Sequence, residues 1–166
     1  MLTILLIASV QQPGFVIDGQ VNAETVIEAP AEELWAMWTT PEGLSFFAPG
    51  ARVDLAPLGR YEIIMLPDAP EGEQGSDGAI LLALEAGRML SFLWRSPPSL
   101  PETRAYYTHV TLRFEPVDET HTRVTLVNDG YGTGPGWAEA ETYFERAWPY
   151  VLDRMRTVAE GQTDAD

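Results

Sequence analysis

The chain has 166 residues, no cysteine, and 10 basic against 25 acidic residues, for a net charge of −15. This length suits one domain, which buries about 70% of the surface its unfolded chain exposes and needs no disulfide staples. Missing cysteines exclude thiolate metal sites and cysteine nucleophiles, and so negative a surface repels nucleic-acid phosphates and anionic lipid headgroups.

The first feature along the chain is the apolar run from Leu2 to Val10 (LTILLIASV), followed by Gln11-Gln12-Pro13-Gly14. It is too short to cross a bilayer as a helix but suits the apolar region of a secretory signal. No Lys or Arg precedes it, and its cleavage sequences, Ala8-Ser9-Val10 and Val21-Asn22-Ala23, are imperfect. A strand is the structural alternative. Residues 1–20 are therefore expected to be a signal or disordered segment. The mature chain would start between Val10 and Glu24 and be periplasmic or secreted, with a cytoplasmic location as the alternative.

Val21 to Glu28 predicts a strand ended by Pro30, which opens a helix carrying Leu34, Trp35 and Trp38. Glu32 and Glu33 lie where its dipole favours acids, and Pro41 stops it at Thr40. Pro41 to Phe47 predicts a second short helix capped by Thr40. Alternation then takes over. Tyr61, Ile63 and Met65 mark one strand, Ile80, Leu82 and Leu84 another, and Leu90, Phe92 and Trp94 a third. Ala105 to Glu115 is the strongest strand signal, with Val110, Leu112 and Phe114 on one face and His109, Thr111, Arg113 and Glu115 on the other. Val124 and Leu126 continue the pattern after a turn at Val117-Asp118-Glu119-Thr120.

Thr133-Gly134-Pro135-Gly136 predicts a turn into a last helix running to about Glu160. Its apolar stripe is Trp137, Ala140, Phe144, Trp148, Val151, Met155 and Val158. Pro149 lies inside it and frees the Glu145 carbonyl. Gly161 is a stop, and residues 161–166 are expected to be a disordered acidic tail. No repeat or linker divides residues 21–160. A one-faced antiparallel meander with one long helix to cover it predicts an α+β domain of the helix-grip type.

Several segments together resemble the START-like superfamily, also called SRPBCC or polyketide cyclase/dehydrase and lipid transport. The branch they resemble is named after the activator of heat-shock protein 90 ATPase. They are Ala29-Pro30-Ala31-Glu32-Glu33-Leu34-Trp35, Thr39-Thr40-Pro41-Glu42-Gly43-Leu44, Leu58-Gly59-Arg60-Tyr61, Arg88 to Trp94, Thr122 to Leu126 and Trp148 to Leu152. The resemblance implies a cavity between sheet and C-terminal helix. Arg60 stands where many relatives have a second glycine, and Asn128 where many have histidine. Cochaperones of that branch carry such a domain only as their C-terminal part, so the resemblance implies the fold and not cochaperone activity.

His109 lies on the outward parity of its strand and His121 in a turn, so both read as solvated surface histidines without a metal-ligand partner. Ser91 and Ser96 have no base near them in sequence. The acidic segment Pro67 to Gly78 lacks the spacing of a calcium loop and reads as flexible and solvated. No phosphate cradle, nucleophile elbow or zinc pair occurs, so neither metal nor cofactor is expected. The aromatics remain. Trp38, Phe47, Phe92, Trp94, Trp137, Phe144 and Trp148, with Tyr106, Thr108 and Asn128 as inward polar anchors, are the expected contacts of a small hydrophobic or amphipathic ligand. With no arginine on inward strand parity, neutral or cationic molecules should bind better than fatty-acid anions. A cyclase- or hydratase-like enzyme and a chaperone-interaction module are the alternatives.

Overall fold

The computed structural model describes residues 19–161. The Leu2 to Val10 run and the tail from Gln162 onward lie outside the described residues.

The elements in chain order are β1 (Gln20–Ile27), α1 (Ala31–Thr39), α2 (Pro41–Leu44), β2 (Gly50–Val53), β3 (Tyr61–Ile64), β4 (Leu81–Glu85) and β5 (Met89–Trp94), then α3 (Pro101–Arg104), β6 (Thr108–Pro116), β7 (Thr122–Asp129) and α4 (Trp137–Ala159). Five strands form an antiparallel sheet in the order β1-β7-β6-β5-β4, and β2 pairs with β3 in a separate ribbon. The long helix α4 covers one face of the larger sheet and packs against β1. This is the expected helix-grip architecture.

Alternation sets which side chains meet α4. Val110, Leu112 and Phe114 of β6 and Val124 and Leu126 of β7 are all buried, whereas Arg113 is exposed and Thr125 half-buried. The register pairs Leu112 with Leu126 and Phe114 with Val124, so large apolar groups lie side by side on the covered face. From α4 the stripe from Trp137 through Met155 meets them, but Val158 is 47% exposed and ends it. Pro149 does not break α4. It and Glu145 both lie on the exposed side, where water can satisfy the carbonyl that proline frees.

Local chemistry fixes the connections. Thr40 Oγ1 accepts the Gly43 N–H at 2.9 Å, capping α2 as expected. In the β6–β7 hairpin Asp118 Oδ1 accepts the N–H groups of Thr120 and His121, both at 2.8 Å. Gly161 takes a left-handed φ of 65° after α4.

Three expectations are corrected. The strand expected from Ala105 starts only at Thr108, because Pro101 opens α3 and Tyr106 closes it by donating its N–H to the Thr103 carbonyl. In β4 a bulge between Leu81 and Ala83 shifts the register. Leu81 then faces inward beside Phe92 and Leu84 beside Leu90, replacing the simple alternation of Ile80, Leu82 and Leu84. Met65 lies past the end of β3 and is 40% exposed.

If this parity is right, Phe114→Ala should lower stability by about 3–5 kcal/mol and Arg113→Ala by less than about 1. Denaturant melts of the two variants measure both, and equal losses would contradict the register.

Candidate ligand-binding site

Asn128 occupies an inward, fully buried position of β7. An amide there must pair its donors and acceptor without water. Its Oδ1 accepts from the Tyr131 hydroxyl at 2.6 Å and from Trp148 Nε1 at 3.0 Å, and its Nδ2 donates to the His109 carbonyl at 3.0 Å. Burial, reinforced by Glu141, Glu145 and Asp129, raises the Tyr131 phenol well above its ordinary range, so it stays a donor. Burial likewise raises Tyr61, which donates to the Trp38 carbonyl at 2.6 Å.

Aromatic rings fill the space around these bonds. Trp38 stacks on Phe92 at 6.2 Å, Phe92 meets Trp94 at 6.2 Å, Trp94 meets Trp148 at 5.1 Å, and Trp148 stacks on Phe144 at 5.7 Å. The room that remains is at the lip of the grip. A cavity of about 370 Å³ opens there between Met65 and Leu66, the Arg95 to Pro98 segment, and Tyr143, Ala147 and Tyr150 of α4. That volume lies within the usual range for small-molecule pockets, about 300–1,000 Å³. A larger surface cleft of about 700 Å³, lined by Arg52, Arg60, Glu62, Asp77 and Tyr107, is charged and open, and lacks the apolar walls of a binding pocket.

Phe47, Trp94, Phe144 and Trp148, four of the expected contacts, line the lip cavity. Trp38 and Phe92 stand behind them. Trp137 packs at the start of α4, 6.3 Å from the Tyr131 ring and 5.7 Å from that of Tyr106. Thr108 is buried, with Oγ1 3.5 Å from the Trp94 carbonyl. Tyr106 is 48% exposed, which corrects its expected inward parity, because α3 ends at this point in the chain. Asn128, Tyr106 and Thr108 are thus not gathered into one polar anchor. The lip residues Tyr143, Ala147 and Tyr150 did have a signal in the sequence. At i, i+4 and i+7 they widen the apolar stripe of α4 beyond what its core contact needs.

In the acidic loop Asp68, Glu71 and Glu73 are exposed, as a solvated segment requires, but Asp77 is held by the protein, which corrects that part of the reading. Asp77 accepts the N–H groups of Gly72 at 3.1 Å, Gln74 at 3.4 Å and Gly75 at 2.8 Å. Burial pushes its carboxyl up, but the N–H groups of Gly75, Asp77 itself, Gln74 and Gly72 outweigh that and hold it below the ordinary carboxylate value. Arg104, itself buried, pairs with Asp77 at 3.1 Å and donates to the carbonyls of Gly72, Gly75 and Ser96. A side chain at Gly75 would lie 2.0 Å from the Ile63 carbonyl, so only glycine fits this strand crossing. Arg95 also lines the cavity, correcting the expectation that no cation reaches it. Its Nε donates to the Arg104 carbonyl at 3.0 Å and its Nη1 to that of Asp77 at 3.1 Å, with Tyr107 beneath the guanidinium.

On the opposite face of the sheet, His109 is more than a solvated histidine. Its Nδ1 lies 2.9 Å from Asp129 Oδ1 and its Nε2 2.6 Å from Ser91 Oγ. An ionised Asp129 only accepts, so Nδ1 carries the proton and Nε2 accepts from the Ser91 hydroxyl. Cross-strand register makes the first contact, since His109 pairs directly with Asp129. His121 is bound to Asp118 Oδ1 at 3.0 Å. The Ser91–His109–Asp129 order matches a nucleophile relay, but the backbone donors around it belong to the β5–β6–β7 ladder and none of the three residues lines the lip cavity. A relay without oxyanion donors lacks about 10²–10³ in rate for each missing donor. Ser91 should therefore resist a fluorophosphonate reagent, and His109→Ala should cost about 1 kcal/mol or less. Stoichiometric labelling of Ser91 in a mass spectrum would contradict this reading.

Among the described residues no cluster of side chains could hold a metal ion, and no helix is long and apolar enough to cross a membrane. The family model described as activator of Hsp90 ATPase homolog 1-like protein matches residues 28–160. No curated protein matches the chain. Among solved structures, protein MLL2253 of Mesorhizobium loti is 20% identical over 87% of this chain and 99% of its own, with a TM-score of 0.67. CalU16 of Micromonospora echinospora is 17% identical over 91% of this chain and 83% of its own, with a TM-score of 0.64. DynU16, a protein in the dynemicin biosynthetic locus, is 15% identical over 87% of this chain and 49% of its own, with a TM-score of 0.62. At these identities the likenesses establish the fold alone.

Proposed function

We propose, from the premise that the chain belongs to the family of activator of Hsp90 ATPase homolog 1-like proteins, that it binds a small apolar molecule at the lip of its helix grip without transforming it. The observation that carries this reading is the lip cavity of about 370 Å³, walled by Phe47, Trp94, Phe144 and Trp148. Aromatic walls remove ligand surface from water at roughly 25 cal/mol per Å², and the Arg95 guanidinium beside them already donates to backbone carbonyls. A purely bound ligand fits this arrangement, since the described residues that line the opening include no carboxylate or imidazole.

The proposal extends to location. The Leu2 to Val10 run is read as a secretory signal of a periplasmic or secreted protein, and cleavage ahead of Gln20 would leave the β1–β7 pairing intact.

Ala147 is the position that tests binding. It lies on α4 in the cavity wall and is small, so Ala147→Trp should fill the opening while leaving the core stripe in place. The neutral dye N-phenylnaphthylamine should brighten with the natural chain, and the variant should weaken its binding at least about tenfold with an unchanged melting temperature. Equal binding by both proteins would place the dye elsewhere and contradict the reading.

A further inference from the structure

Trp94 Nε1 is a buried side-chain donor with no hydrogen-bond partner among the described residues. Two neighbouring indoles differ: Trp148 donates to Asn128 and Trp38 to Met155 Sδ. An orphaned buried donor is an unusual feature that calls for a reason, and Trp94 is also a wall residue of the lip cavity. The rest of that wall offers it nothing. No carboxylate, amide or imidazole side chain lines the cavity, and the Arg95 guanidinium donates to backbone carbonyls instead. Tyr143 and Tyr150 lie at the rim with exposed side chains. The wall therefore has a spare donor and no carboxylate to receive a ligand's cation.

We infer that the cavity selects neutral apolar molecules bearing a carbonyl-type oxygen, which accepts the hydrogen bond of the Trp94 indole N–H. This rests on the binding reading above and adds the chemical class of the ligand. The donor is shielded from water, so a ligand in the lip cavity engages it only when the indole turns its Nε1 edge toward that cavity. A hydrocarbon of the same shape gains the apolar contact but leaves the donor orphaned. An ammonium ion brings further donors and a charge to a wall that has no carboxylate to receive them.

The test uses two probes of matched shape, acetylnaphthalene and isopropenylnaphthalene, which carries a methylene where the ketone has oxygen. Both are titrated into the full-length chain and its Trp94→Phe variant, and binding is followed by calorimetry. Because a ketone is better hydrated than an alkene, the informative quantity is the ratio of the two affinities. Trp94→Phe should lower the ketone-to-hydrocarbon ratio about tenfold, whatever apolar contact both probes lose alike. In isotope-labelled natural protein, the indole N–H resonance that is missing from the variant should move downfield with the ketone and not with the hydrocarbon. This second readout needs no binding by the variant. An unchanged ratio, or an unmoved Trp94 resonance at ketone saturation, overturns the inference and leaves the binding reading standing. Failure of both probes to bind the natural chain overturns both.

Discussion

Asn128 joins three parts of the chain through one side chain. Its carbonyl oxygen holds Tyr131, just beyond β7, and Trp148 of α4, and its amide nitrogen holds the His109 carbonyl of β6. Each bond lies in an apolar interior, where losing a partner leaves a group that water cannot reach. The height of α4 above the sheet is set by the reach of these bonds and by the rings stacked beside them. An amide has no proton to lose or gain in the ordinary pH range, so Asn128 itself keeps these bonds as pH changes.

The position of the opening follows from that closure. With the centre of the grip held shut, the lip cavity opens where α4 passes the β3–β4 connection and the Arg95 to Pro98 segment. That connection is shaped by Asp77, whose carboxylate gathers three backbone donors, and by Arg104, which holds the loop carbonyls from the other side. Exposed at the surface, such a pair would contribute little. Mostly buried, it becomes a constraint, because removing either partner leaves a charge without an answer. The acidic loop is in this sense a wall of the site.

Much of the fold could be read directly from the sequence, for a physical reason. In β6 and β7 one face is buried and the other wet, so alternation survives in the residues, and Phe114 and Leu126 announce their side. The stripe from Trp137 to Met155 announces α4 in the same way. Features that depend on distant partners were not legible. Arg104 looks like an ordinary surface charge until the fold brings Asp77, 27 residues away, within 3.1 Å. The β4 bulge depends on how Leu81 and Leu84 meet β5, and the Ser91–His109–Asp129 contact depends on cross-strand register. Asn128 was recognised as an inward polar residue, but its partners decide whether it serves a ligand or the fold. Phe47, Trp94, Phe144 and Trp148 reached the cavity because they sit at the lip end of the same apolar face whose remainder fills the core.

The central claim is that Asn128 closes the grip and that binding belongs to the lip. Asn128→Ala separates the two roles when chemical unfolding and N-phenylnaphthylamine affinity are measured on the same protein. Two buried donors lose their acceptor in the variant, at about 1–3 kcal/mol each. The account predicts a stability loss of at least about 2 kcal/mol, with dye affinity in the folded variant within about twofold of the natural chain. Unchanged stability together with lost dye binding would contradict it, and would make Asn128 a ligand anchor.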